Sequence, residues 1–166
     1  MKYIVRFILL AGLALLGLWA WSVFFPNPET VIHRRLVKLA QLAAFSANEG
    51  HLTTVANVER LGTFFAEDIK VNIDVPGIET ETFVRREELQ QAALAARSSG
   101  VSVSKLKFQD INITVGPDGQ SATADLTLEA AVSTQKDPIV QELKFTLNKV
   151  DRDWLITEVE TVKTLK

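Results

Sequence analysis

The chain has 166 residues, with 18 basic and 20 acidic side chains and a formal net charge of −2. No stretch combines clustered Lys and Arg with interleaved aromatic residues, which excludes a typical nucleic-acid-binding surface. The absence of cysteine excludes disulfides and also excludes a lipid-modified cysteine near the amino terminus.

An uncharged apolar run covers residues 7–25 and follows a basic amino terminus, residues 1–6, that contains Lys2 and Arg6. As a helix the run is roughly 28 Å long, close to the thickness of the hydrocarbon core of a bilayer. Trp and Phe residues crowd its far end, and such rings favour a membrane–water interface. We therefore predict a transmembrane helix that contacts the lipid bilayer from Phe7 to Phe25.

A cleaved signal peptide is the alternative interpretation of this run, because Ala20-Trp21-Ser22 resembles a small-x-small cleavage site. The length of the run and its terminal aromatic residues favour a retained anchor. The basic residues before the run favour a cytoplasmic amino terminus by the positive-inside rule, whereas Arg34, Arg35 and Lys38 beyond its other end favour the opposite orientation. We expect a single-pass protein of the bacterial inner membrane with its soluble domain on the periplasmic side.

The remainder predicts a short linker, residues 26–30, and one α+β domain, residues 31–166. Helical spacing of apolar residues predicts a first helix from about Ile32 that stops near Gly50. The same spacing predicts a second helix through Phe65, ending near residues 66–68, and a third helix from about Val84 to Ser98.

Strand periodicity of two appears from Ile69 to Val75 and again from Val101 to the end of the domain. Turn sequences at residues 116–119, 136–138 and 151–153 divide the second region into four strands, and their short connections require an antiparallel meander. The apolar phase switches at Gln109-Asp110, which predicts a β-bulge that bends the strand.

Three segments carry a resemblance to a known family: residues 61–69, residues 84–89 and the turn and strand at residues 151–156. In this order of elements the chain resembles the nuclear transport factor 2-like superfamily, which has a cystatin-like cone and includes SnoaL-like domains and ketosteroid isomerases. The resemblance covers roughly residues 30–165. It implies a cone-shaped domain in which three helices pack on a curved, mostly antiparallel sheet.

The catalytic groups of enzymes in this family are not found in the domain. Isomerases of this type use a tyrosine and a protonated acid, but the only tyrosine here, Tyr3, precedes the domain. The Arg flanked by Asp that epoxide-hydrolase members use is approached only by Asp151-Arg152-Asp153, which a hairpin turn explains. His33 and His51 lack a second ligand at metal-binding spacing. We predict no catalytic, cofactor-binding or metal site.

Two sets of charged or polar residues are candidates for binding. The first lies opposite the apolar residues of the strands, where it either lines the cone or forms a half-solvated outer face: Asn72, Asp74, Asp125 and Glu129, with Glu142 and Lys144. The second set either contacts lipid headgroups or forms a solvated helix face: Arg34, Arg35 and Lys38.

Together these features predict a membrane-tethered, non-catalytic interaction or assembly domain, a subunit of a membrane protein complex or a homodimer. One alternative is a small-molecule binding module with an apolar cone. The other alternative is an isomerase or dehydratase of the SnoaL-like type.

Overall fold

The structure is a computed structural model that describes residues 27–73 and 81–162. The predicted transmembrane run, Pro26 of the linker and the candidate Asp74 lie outside the described residues. Within those two ranges, no helix is both long enough and apolar enough to cross a membrane.

The described residues form three helices and six strands. The helices are α1 (Pro28–Ala43), α2 (His51–Gly62) and α3 (Arg86–Ser98). The strands are β1 (Phe65–Ile73), β2 (Glu81–Phe83), β3 (Val103–Val115), β4 (Ser121–Val132), β5 (Ile139–Val150) and β6 (Asp153–Thr161). They build one sheet in the order β2-β1-β6-β5-β4-β3, in which only the β1–β6 pair is parallel. This curved mixed sheet with three helices confirms the predicted α+β cone.

The first helix begins earlier than the sequence pattern predicted. Pro28 occupies its first turn, where a missing N–H costs nothing, and the side chain of Asn27 accepts a hydrogen bond from the backbone N–H of Glu29 at 3.1 Å. Residues 28–30, predicted as linker, are therefore helical. Only residues 26 and 27 separate the apolar run from α1.

The predicted β-bulge is present in β3. Gln109 pairs with Thr127 whereas Asn112 pairs with Asp125, so β3 contains one residue more than β4 between these two pairs. Asp110 takes a positive φ of 50° at this point. The extra residue returns Ile111 to the inner face and bends the long edge strand around the core.

Further element boundaries differ from the prediction, and the first is the end of α1 at Ala43, several residues before the predicted stop near Gly50. Phe65 opens β1 and does not belong to α2, because pairing with β6 begins here: Phe65 lies opposite Ile156, and the N–H of Ile156 donates to the carbonyl of Phe64 at 2.9 Å. Tertiary pairing thus overrides the helical spacing of Phe65. Val84 precedes α3 and is exposed, since residues 81–83 form the short strand β2 against β1.

The core lies between the concave face of the sheet and the helices. Its largest side chains with almost no exposure are Ile32, Leu36, Ile69, Leu147 and Ile156, contributed by α1, β1, β5 and β6. Burial of each such side chain stabilises the fold by about 1.5–3 kcal/mol. The alternate residues of the same strands face outward.

Candidate functional site

A cavity of about 260 Å³ lies inside the cone, between the sheet, the carboxyl-terminal ends of α1 and α2, and one face of α3. Its walls are almost entirely apolar and include Leu39, Leu89, Ala93, Leu106, Phe108 and Phe145. Ala96, which also lines it, is exposed, so the cavity reaches the surface beside α3.

Aromatic packing fixes one wall of this cavity. The rings of Phe108 and Phe145 meet edge to face, with centroids 5.5 Å apart and planes at 83°. This geometry places the positive edge of one ring on the negative face of the other. The contact between Phe108 and Phe145 therefore maintains the shape of the cavity wall that β3 and β5 contribute.

Arg97 is the one polar side chain that lines the cavity among the described residues. Its side chain is only 2% exposed, and its Nη1 lies 2.5 Å from Oε2 of Glu49. Its Nη2 donates to the carbonyl oxygen of Leu42 at 2.5 Å, and its guanidinium lies 4.7 Å from the centroid of the Phe45 ring. The charge of Arg97 is thus compensated by the protein.

The carboxylate of Glu49 is adapted to this role. Burial acts to raise its pKa, but hydrogen bonds from Arg97, Asn57 and Thr54 and the positive charge of Arg97 outweigh that effect and hold the pKa of Glu49 below its ordinary value. Glu49 therefore remains ionised and paired.

The cavity is suited to an apolar molecule. An engineered cavity of about 150 Å³ with apolar walls stays dry and binds benzene, and the cavity in this cone is larger. Its walls match those of small-molecule pockets, in which apolar side chains supply most of the surface, and its volume lies just below the roughly 300–1,000 Å³ that is typical of them. Among the described side chains in its lining, only Arg97 carries an ionisable group.

The described polar candidates of the strands lie on the other face of the sheet. Asn72 and Asp125 are exposed, and Asp125 stands between the buried Ala124 and Leu126 of β4, so it points away from the cavity. Glu129 forms an ion pair with Lys105 at 3.1 Å. None of these three lines the cavity.

The charges of the outer face pair with one another across neighbouring strands. Glu129 also accepts a short hydrogen bond from Gln109, and Lys105 and Gln109 together hold the pKa of Glu129 below its ordinary value. Lys144 lies 3.8 Å from Glu160, and Glu142 is exposed on the same strand. Of the two positions expected for this set, its described members take the half-solvated outer face.

The three basic candidates of α1 separate into two groups. Arg34 and Lys38 are exposed. Arg35 instead folds against the domain: its Nη2 donates to the carbonyl of Thr63 at 2.7 Å, and its Nη1 lies 3.3 Å from Asp153. Burial lowers the pKa of Arg35, although the Asp153 charge opposes this, and the guanidinium remains charged. Arg35 therefore ties α1 to β6.

The two histidines and the turn at residues 151–153 show no arrangement that indicates a site among the described residues. His51 is exposed at the start of α2, and His33 lies on α1 beside Arg34. Among residues 27–73 and 81–162, no three potential ligands are grouped as a metal site requires. Asp151 has a positive φ of 55° in the turn between β5 and β6, which is the hairpin predicted for residues 151–153.

Sequence reasoning missed Arg97 and Glu49, although one signal was available. Arg97 follows Ala93 by one helical turn and so shares the face that α3 buries. A cation at such a position requires an acceptor from elsewhere in the fold. The acceptor, Glu49, is 48 residues away in the chain, so no local pattern identifies it.

A scan against models of protein families finds no match, and a search of curated proteins finds none either. Solved structures do match. A protein of unknown function with a cystatin-like fold from Nostoc punctiforme has a TM-score of 0.58 and 15% identity, over 82% of this chain and 92% of that chain. A nuclear transport factor 2-like protein from Cytophaga hutchinsonii has a TM-score of 0.58 and 16% identity, over 82% and 98%.

A scytalone dehydratase-like protein from Novosphingobium aromaticivorans has a TM-score of 0.55 and 16% identity, over 82% of this chain and 84% of that chain. Identities this low establish a common fold, and one fold supports unrelated functions. The domain formed by the described residues therefore has the nuclear transport factor 2-like, or cystatin-like, fold.

Proposed function

We propose that this chain is a non-catalytic binding domain, tethered to a membrane by residues 7–25, whose cone holds one small apolar molecule. The observation that carries the proposal is the cavity of about 260 Å³ with apolar walls that reaches the surface beside α3. A core packed only for stability leaves few voids larger than a water molecule.

The composition of the cavity favours binding over catalysis. An isomerase or dehydratase needs a positioned acid or base with a pKa near the working pH. Arg97 is the only polar group among the described lining residues, and its guanidinium binds Glu49 and the Leu42 carbonyl. These contacts support a protein that holds its ligand without transforming it.

The apolar run at residues 7–25 supports a location at the membrane surface for this binding domain. α1 begins at Pro28, and the apolar run ends at Phe25. Three residue steps span at most about 11 Å, so an anchored run holds the domain against the bilayer. This short connection also favours a second candidate function, the predicted assembly role, in which the domain is a fixed subunit of a membrane protein complex or a homodimer.

A fluorescence titration tests ligand binding. Full-length protein in lipid nanodiscs is titrated with the apolar probe N-phenyl-1-naphthylamine, and Ala93→Phe is compared with Ala95→Phe. Ala93 lines the cavity, whereas Ala95 is exposed on the same helix. We expect the wild type and Ala95→Phe to bind one probe per chain above the lipid background, and Ala93→Phe to bind none.

Equal probe binding by the three proteins, each folded by circular dichroism, would contradict the binding function. The assembly function has its own test, which is purification of the full chain in mild detergent. A protein that migrates as a monomer with nothing bound to it would contradict a role as an assembly subunit.

A further inference from the structure

A second cleft, of about 460 Å³, lies between the first two turns of α1 and the bulged part of β3. Its polar walls come from Glu29, Thr30, His33, Arg34 and Asn112, and the half-buried Ile111 and Ile113 complete it. This α1–β3 cleft is on the opposite end of α1 from the apolar cavity, which contacts Leu39 and Ala43.

The polar side chains of the α1–β3 cleft have no partners among the described residues. Within residues 27–73 and 81–162, Arg34, Glu29, His33 and Asn112 have no side-chain hydrogen bond or ion pair. The adjacent Arg35, by contrast, binds both Thr63 and Asp153. Among the described residues that line it, the cleft thus presents one cation, Arg34, and one carboxylate, Glu29, together with the polar side chains of Thr30, His33 and Asn112.

The position of the cleft relative to the tether indicates its environment, and this step rests on the proposed function. Glu29 follows Phe25 by four residues, a distance of at most about 14 Å. With residues 7–25 in the bilayer, the cleft lies at the level of the lipid headgroups. The exposed Lys38, one turn beyond Arg34, continues the basic face of α1.

We propose that the α1–β3 cleft binds the headgroup of a lipid that carries a phosphate and a primary ammonium, as in phosphatidylethanolamine. Arg34 binds the phosphate through charge-assisted hydrogen bonds. Glu29 accepts hydrogen bonds from the ammonium, and Ile111 and Ile113 contact the apolar glycerol region. The presence of both Arg34 and Glu29 in the cleft favours a zwitterion, because a purely anionic headgroup would leave Glu29 beside a like charge.

Native mass spectrometry of the full-length protein tests this proposal. The protein is extracted from nanodiscs that contain equal amounts of phosphatidylethanolamine, phosphatidylcholine and phosphatidylglycerol, and the retained lipids are counted. We expect one phosphatidylethanolamine per chain. Arg34→Ala should lower its retention roughly tenfold, as expected for loss of a hydrogen bond to a charged group.

Two variants separate the effect of positive charge on α1 from the contact of Glu29 with the ammonium group of the lipid. Lys38→Ala removes the same charge from the same helix outside the cleft, and we expect retention as in the wild type. Glu29→Gln should reduce the preference for phosphatidylethanolamine over phosphatidylcholine, because the quaternary ammonium of the latter has no N–H to donate. Excess free O-phosphoethanolamine should leave the lipid bound, since it lacks the glycerol region that contacts Ile111 and Ile113.

Equal retention of the three lipids, equal effects of Arg34→Ala and Lys38→Ala, or displacement by free O-phosphoethanolamine would overturn the headgroup site. Release of the protein from membranes by an alkaline carbonate wash would instead contradict the tether, and with it the proposed function. Probe binding in the cone is measured independently. Failure of the lipid site and failure of the proposed function are therefore distinguishable.

Discussion

The inner and outer faces of the sheet differ in how far their charged side chains are exposed to water. On the inner face, where the helices cover the sheet, the described residues include one charged pair near the cavity: Arg97 of α3 with Glu49 of the loop after α1, whose side chains are 2% and 14% exposed. The outer face carries pairs such as Lys144–Glu160, whose side chains are 42% and 47% exposed. A charge on the inner face depends on its partner, whereas a charge on the outer face is also stabilised by water.

The largest effect is expected from breaking the inner pair. Arg97→Met leaves the Glu49 carboxylate largely buried beside an apolar cavity, and loss of one partner of such a pair costs about 3–5 kcal/mol. Urea unfolding of the full chain in mild detergent, followed by circular dichroism, measures the change. A loss of less than about 1 kcal/mol in the free energy of unfolding, the size expected for an exposed ion pair, would show that Glu49 is solvated and that the two faces do not differ.

Packing on the two faces can be compared at adjacent residues of β5. Leu147 is 0% exposed in the core, and Asn148 is exposed on the outer face. Leu147→Ala should cost about 2–5 kcal/mol through lost burial and a new cavity, whereas Asn148→Ala should change stability by about 0.5 kcal/mol or less. The same unfolding measurement checks both, and similar losses would contradict the assigned register of β5.

A smaller effect is expected from acid. The pKa of Glu49 is lowered by folding, so the unfolded chain takes up this proton at a higher pH than the folded chain. The stabilisation from Glu49 is complete above its ordinary pKa of 4.5 and is lost as the pH falls through the lower value in the folded state.

The stability of the wild type should therefore fall more steeply than that of Glu49→Gln as the pH decreases from about 6 to about 3. Urea unfolding midpoints across this pH range provide the measurement. The other carboxyl groups are the same in both proteins, so the difference between the two pH profiles reports on Glu49. Parallel pH profiles of the two proteins would be inconsistent with an ionised, paired Glu49.

The smallest effect is expected on the outer face. Lys144→Met breaks an ion pair with an N–O distance of 3.8 Å between two well-exposed side chains. Such pairs contribute about 0–1 kcal/mol, so the unfolding midpoint should hardly move. A loss comparable with that of Arg97→Met would place Lys144 on a buried surface and reverse the comparison.

Local sequence patterns were sufficient for much of the fold. The alternation in β4 to β6 and the phase switch at Gln109-Asp110 predicted the meander and the bulge, since both depend on neighbouring residues. The boundary at Phe65 was wrong because its strand pairs with β6, about 90 residues later in the chain. The short strand β2 was missed for the same reason: its only partner is β1.

The candidate site was less accessible from sequence. Alternation assigns residues to two faces of a strand but does not say which face is inner, so Asn72, Asp125 and Glu129 were equally compatible with a cavity and with solvent. Arg97 and Glu49 meet only after α3 and the loop after α1 come together. The apolar cavity itself depends on side chains from every layer of the cone, which no local pattern encodes.

The central claim is that the inner face encloses a binding cavity, and methyl NMR tests it most directly. Full-length protein with ¹³C-labelled Leu and Val methyl groups is titrated in nanodiscs with naphthalene. We predict saturable shifts for Leu39, Leu106 and Leu128, which line the cavity, and none for Val140 and Val150, which are exposed on β5. Shifts confined to the exposed valines, or no saturable shift at the cavity leucines, would contradict the account.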